Sequence, residues 1–127
     1  MASPDKLSII VFSGDYERVH YALVLASAAA ATGKAVTLFF TMDGTRALTP
    51  GWADPKREKA YADKGIGTFE ELLQACVELD VTVMVCEMGR RAADLSPTDL
   101  RDDVPVTEGG AVSFMNDASR HGAMLFI

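Results

Sequence analysis

Val81-Thr-Val-Met-Val-Cys86, followed at once by Glu87-Met-Gly-Arg-Arg91, decides the fold. A run of β-branched and apolar residues this short, with no alternation of polar positions, reads as a parallel strand buried on both faces. Its last residue is a thiol at the carboxyl end of that strand. In open α/β sheets this is the edge where ligands bind, because side chains leave the core there and the amides of the next segment point outward. Free cysteine is also among the most buried residue types, so an inert core position is the competing reading of Cys86.

Working outward, Leu7-Ser-Ile-Ile-Val-Phe12, Ala35-Val-Thr-Leu-Phe-Phe40 and Ala123-Met-Leu-Phe-Ile127 have the same character. Each reads as a strand buried on both faces, and Val104-Pro-Val106 adds a fourth strand in sequence order, limited by Pro105. Helical segments alternate with them. Tyr16 to Thr32 carries Val19, Leu23, Ala26 and Ala30 on one stripe and ends at Gly33. Thr68 is the expected N-cap of Phe69 to Leu79, with Glu71 three residues on, and Phe69, Leu72, Leu73, Cys76 and Leu79 share its apolar face. That assigns Cys76 to the core. Ser96-Pro97 reads as a cap and first helical residue of one short turn, and a last helix is expected from about Glu108 to His121. His20 and His121 read as helix-surface residues.

Alternating strands and helices imply a parallel sheet with right-handed crossovers. The expected architecture is an α/β, flavodoxin-like three-layer sandwich with a mostly parallel five-stranded sheet in the order 2-1-3-4-5. Strands 1 and 3 are neighbours in that order, so the ligand cleft would lie between Ser13-Gly14 and Cys86-Glu87-Met88-Gly89. Asp15 after Ser13-Gly14 reads as a helix N-cap, and no Gly-x-Gly-x-x-Gly fingerprint or Gly-x-Ser-x-Gly elbow is present. The stretch from about 42 to 67 holds Pro50-Gly51-Trp52 and the charged run Lys56-Arg-Glu-Lys59, too long for a plain connection. It reads as a loop or lid, with Trp52 and Tyr61 either anchoring an interface or packing it onto its own domain.

Composition bounds the function. The 127 residues fit one domain, and 49% hydrophobic with 24% charged residues is globular usage. A formal net charge of -6 repels phosphate backbones, which argues against nucleic acid and anionic membrane as partners. The first residues lack a signal-peptide pattern and no apolar run reaches a membrane span, so the cytoplasm is the expected location. With only two cysteines, no Cys-x-x-Cys and no histidine at ligand spacing, no metal or cofactor is expected. No final helix follows the last strand to cover that edge of the sheet, so a homo-oligomer is expected.

Around Cys86, Arg90, Arg91 and the amides of a turn starting at Gly89 favour thiolate, while Glu87 opposes it. The same arginines would draw in a small oxyanion such as thiosulfate. With no resolving cysteine nearby, a lone thiol suits a carrier that takes sulfur as a persulfide and passes it to a partner's cysteine. The alternative is a non-catalytic, oligomeric binding module that uses the same cleft for a small molecule or a protein.

Leu7-Ser-Ile-Ile-Val-Phe-Ser-Gly-Asp15 before an Ala-rich helix, Gly33-Lys-Ala-Val-Thr-Leu-Phe-Phe-Thr41, Val83-Met-Val-Cys86-Glu-Met88, Gly109-Gly110-Ala and the closing Phe126-Ile127 form an ordered set. In this set the chain resembles the DsrE/DsrF-like family, especially its DsrE2-type branch. The resemblance spans nearly the whole chain. It implies a single flavodoxin-like domain over residues 1–127, assembly into homotrimers or hexamers, and sulfur trafficking through a cysteine that matches Cys86. The carrier reading adds a small sulfur-carrier protein as the expected partner. Where members of that branch continue with a Ser/Met-rich stretch, this chain has Gly89-Arg-Arg-Ala-Ala.

Overall fold

The computed structural model describes residues 3–127, and its elements follow the expected alternation. The strands are β1 (Lys6–Val11), β2 (Ala35–Phe40), β3 (Thr82–Cys86), β4 (Thr107–Gly109) and β5 (Ala123–Phe126). The helices are α1 (Tyr16–Ala31), α2 (Pro55–Asp63), α3 (Phe69–Glu78), α4 (Glu87–Ala92) and α5 (Ala111–Asp117), with 3-10 turns at Met42–Leu48 and Pro97–Asp99. The N-caps lie where their chemistry predicts. Asp15 accepts from the Arg18 amide, and Thr68 and Glu71 form a reciprocal capping box.

All five strands are parallel, and their order is 4-3-2-1-5 rather than 2-1-3-4-5. Crossover geometry explains the correction. Cys76 of α3 lies against Leu23 of α1, so both helices share one face of the sheet. Right-handed crossovers on one face must step in one direction, which carries β3 past β2 instead of back past β1. The run from β4 to β5 then returns to the free side of β1, and its helix α5 lies on the opposite face. There Phe114 packs with Phe39, Met84 and Cys86.

The main core lies between the sheet and the α1/α3 layer, built from Ile9, Val11, Leu38, Phe40, Val83 and Val85 against Val19, Leu23, Leu73 and Cys76. Leu79, expected on that buried face, is half exposed where α3 ends. The second face carries only α5 among the described residues. In consequence β5 is not buried on both faces as its composition predicts. Met124, Leu125 and Phe126 are all exposed, and Phe126 lies against Phe12, which is exposed as well.

Two further boundaries shift. Val104–Val106 is not a strand: Pro105 has no amide to donate, and pairing with β3 begins beyond it at Thr107. Because Glu108 and Gly109 are drawn into that ladder, α5 starts at Ala111 and not at Glu108, and it ends at Asp117, before His121.

Residues 42–67 pack onto their own domain. Trp52 stacks on Tyr16 and meets the edge of Phe69, with ring centroids 5.9 and 5.0 Å apart. The charged run lies on α2, which has no buried residue and is tethered through Glu58. That carboxylate accepts the Tyr16 hydroxyl and the Phe69 and Glu70 amides at the start of α3. Burial, then the adjacent carboxylate, pushes the Tyr16 phenol well above the usual tyrosine range. His20 is buried here, contrary to its expected surface position. It follows Tyr16 on the apolar stripe of α1, its Nε2 lies 2.7 Å from the Gly67 carbonyl, and Tyr61 meets it edge-on.

Candidate functional site

The strand order relocates the cleft and leaves the thiol in it. The connection leaving β3 takes Leu100 and Val104 to the α1/α3 face, whereas the one leaving β4 leads to α5 on the other face. Adjacent strands whose outgoing connections diverge define a topological switch point, and here those strands are β3 and β4. Their terminal residues Cys86 and Gly109 are paired in register. The sequence reading set Cys86 opposite Ser13 and Gly14, but β2 stands between β1 and β3. Ser13 accepts the Asp15 amide at the foot of α1, and Gly14 lies against Asp43.

Cys86 closes β3 and caps α4 at the same time. Its backbone is extended (φ -75°, ψ 119°), and its Sγ accepts the Gly89 amide at 3.4 Å. Alternation along β3 turns Val85 toward the main core and Cys86 toward Phe39, Met84 and Phe114. In a single chain the thiol is 4% exposed. Gly89 is fixed by close approach: a Cβ there would lie 2.2 Å from Thr41 Oγ1 and 2.4 Å from Met42 N. Met42 itself has a positive φ of 51°. A residue with this side chain is strained there, and such strain concentrates at functional sites.

The two arginines point elsewhere. Arg90 is buried, with Nη1 donating to the Leu95 carbonyl at 2.9 Å and Nη2 lying 3.4 Å from Glu108 Oε1. Glu108 is in register with Val85, so this pair sits on the face away from the thiol. Nε of Arg90 has no hydrogen-bond partner among the described residues. Arg91 is exposed and pairs with Glu87 one helical turn away. The Gly89 amide is therefore the one polar group described against Sγ, and Met88, 68% exposed, projects beside it.

Cys76 behaves as expected of a core residue. It is fully buried, its Sγ lies 3.9 Å from the Leu23 carbonyl, and burial pushes its thiol up to about 11. A nucleophile needs thiolate, so Cys76 is inert near neutral pH. Both cysteines are free.

The residues missed from sequence are Gly109, Thr41 and Phe114, all of which meet at Cys86 or its helix. The Gly109-Gly110 doublet was a visible signal, but its pairing with Cys86 depends on strand order. A cleft of about 640 Å³ lies on the other face between Pro50, Leu100, Arg101, Val104 and Glu108. Arg101 is held there by both Glu70 and Asp103, at 2.7 to 2.9 Å. No group of three His, Cys, Asp or Glu among the described residues is disposed to hold a metal, and none of the described helices is long and apolar enough to cross a membrane.

An all-parallel α/β domain with a cysteine at its switch point defines the class. The DsrE/DsrF-like family model matches residues 5–121, and the chain belongs to that family. It is 26% identical to the sulfur carrier protein DsrE2 of Allochromatium vinosum, covering 96% of this chain and 98% of that one. It is 27% identical to the uncharacterized protein YrkE of Bacillus subtilis, covering 96% of each. These alignments are longer than the chain itself, so both relatives carry segments that it lacks. Among solved structures, the ychN protein of E. coli superposes with a TM-score of 0.73 at 21% identity, over 97% of this chain and 99% of that one.

Proposed function

We propose that the protein is a sulfur carrier in which Cys86 takes up sulfane sulfur as a persulfide and passes it to a partner's cysteine. The observation that carries this reading is the position of Cys86 at the β3/β4 switch point, with the Gly89 amide directed at its sulfur. Its kinship over nearly full length with a protein named a sulfur carrier supports the substrate class. With thiosulfate as donor, the Cys86 thiolate attacks the outer sulfur and a sulfur–sulfur bond forms as the bond to sulfite breaks. Sulfite leaves with the electron pair, and Cys86 is left as a persulfide anion. An acceptor thiolate then attacks the terminal sulfur and releases Cys86 as thiolate, so no external oxidant or reductant is consumed. Two free cysteines with no mutual pairing suit a reducing compartment such as the cytoplasm.

The working form in this reading is a homo-oligomer. Phe12, Met124 and Phe126 leave a bare strip on the β1/β5 side of the second face, which a second copy would cover. Light scattering is expected to give a mass above that of one chain.

A second reading, a non-catalytic binding module, draws on the burial of Cys86 and on the cleft of about 640 Å³ across the sheet. Intact-mass analysis after incubation with thiosulfate or polysulfide separates the two. Wild type is expected to gain about 32 Da per added sulfur and Cys86→Ser nothing. No gain in wild type from any donor, or an equal gain in Cys86→Ser, refutes the carrier reading and leaves the binding module.

A further inference from the structure

Cys86 is 4% exposed, so any donor must first reach it. What covers it is thin. On its face of the sheet the thiol lies among Phe39, Met84 and Phe114, with Ile10 at the margin. Phe114 comes from α5, a helix of seven residues with no side-chain N-cap and with Val112 and Met115 facing outward. The helix hangs from Gly109-Gly110, and a Cβ at Gly110 would meet nothing within 4 Å.

Two sets of contacts hold α5 itself to the sheet among the described residues. Phe114 stacks on Phe39, with ring centroids 4.7 Å apart. At the far end, Asp117 Oδ2 accepts from Lys6 Nζ at 2.7 Å and from Thr37 Oγ1 at 2.6 Å, while Lys6 Nζ also donates to the Asp117 carbonyl at 2.8 Å. Lys6 and Thr37 belong to β1 and β2, so one charged cluster ties the end of α5 to the centre of the sheet. Without it, the packing of Phe114 on Phe39, Met84 and Cys86 keeps the helix over the thiol, while beyond α5 the chain stays tied through Ser119 to Asp5.

We propose that α5 is a gate over Cys86, swinging on Gly110 just past the β4 ladder, with the Asp117–Lys6–Thr37 cluster as the latch that sets how often it opens. The inference rests on the sulfur-carrier reading for its purpose, but it concerns access alone. Openings of this kind are local, and they are frequent where few contacts hold an element down. The second thiol supplies an internal reference. Cys76 lies between α1 and α3 in the main core, so its modification reports opening of that core and not of α5.

The test is the rate of iodoacetamide modification at each cysteine near neutral pH, read by peptide mass for wild type, Asp117→Asn and Thr37→Val across low urea concentrations. Cys86 in wild type is expected to react at least about tenfold faster than Cys76, with a rate nearly independent of urea, as a local opening exposes little surface. Asp117→Asn is expected to raise the Cys86 rate about tenfold and Thr37→Val by a smaller factor, both with the Cys76 rate little changed. Equal rates and equal urea dependence at the two cysteines in wild type would overturn the gate. So would latch variants that accelerate both cysteines alike, since that is global destabilisation. Sulfur takes no part in this readout, so a failure of Cys86 to load sulfur would refute its chemistry and leave the gate standing.

Discussion

Replacing Gly89 with alanine probes the junction that holds the Cys86 helix against the end of β2. The added Cβ would sit 2.2 Å from Thr41 Oγ1, 2.4 Å from Met42 N and 2.9 Å from Thr41 Cα. Two of these are backbone atoms, so no side-chain rotation relieves the overlap. Either α4 or the Thr41-Met42 segment must move by about an ångström, a shift a close-packed interior resists. Alanine is the better helix former by about 1 kcal/mol, and overpacking costs about 1 to 3 kcal/mol. Displaced backbone puts the cost at the top of that range, and the net loss is about 2 kcal/mol. For a domain of this size that lowers the thermal midpoint by about 6 to 10 °C. Gly110→Ala is the control: φ there is -142°, open to any residue, and the space is empty, so it should change stability by less than about 0.5 kcal/mol. Scanning calorimetry or urea denaturation measures both. A Gly89→Ala protein as stable as wild type would refute the close approach of α4 to Thr41 and Met42.

Two further outcomes follow from groups outside the thiol site. Because burial raises the Cys76 thiol to about 11, the folded chain holds that proton more tightly than the unfolded one. Its contribution is whole below about pH 8.5 and declines by on the order of 3 kcal/mol as pH rises to about 11, so the urea midpoint should fall over this window in wild type more steeply than in Cys76→Ala. Glu58→Ala removes the acceptor for the Tyr16 hydroxyl and for two amides at the start of α3, and should cost about 2 to 3 kcal/mol. The single tryptophan, stacked on Tyr16, reports it: Trp52 emission should shift to the red, and unchanged emission and stability would show that Glu58 does not tether α2.

Much of this was legible because short-range chemistry wrote it. Thr68 with Glu71, Asp15 before α1 and the apolar runs of β1 to β3 each carry a local signal that tertiary packing did not override. Strand order is different, since it depends on which face each crossover helix takes, and that is settled by contacts such as Cys76 with Leu23 between distant helices. The site inherits the same division. Cys86 at the end of a strand was readable from six residues, whereas its register with Gly109 and its cover by Phe114 follow only from the order of β3, β4 and α5. Arg90 and Arg91 illustrate the gap most plainly. Adjacency in sequence placed both beside the thiol, but the turn of α4 sends one to Glu108 and the other to Glu87.

The pairing of β5 with β1 joins Ala123 to Leu7, nearly the full span of the described chain. A ribosome that has released β1 through β4 has delivered a sheet whose second strand is already sandwiched and whose first strand still shows a naked rim of Leu7 to Ile10. Such a rim is a template for any passing strand until Ala123–Phe126 emerge to occupy it. The interval before β5 emerges is thus the hazardous one, and a nascent chain stalled just short of β5 is the form expected to need a chaperone.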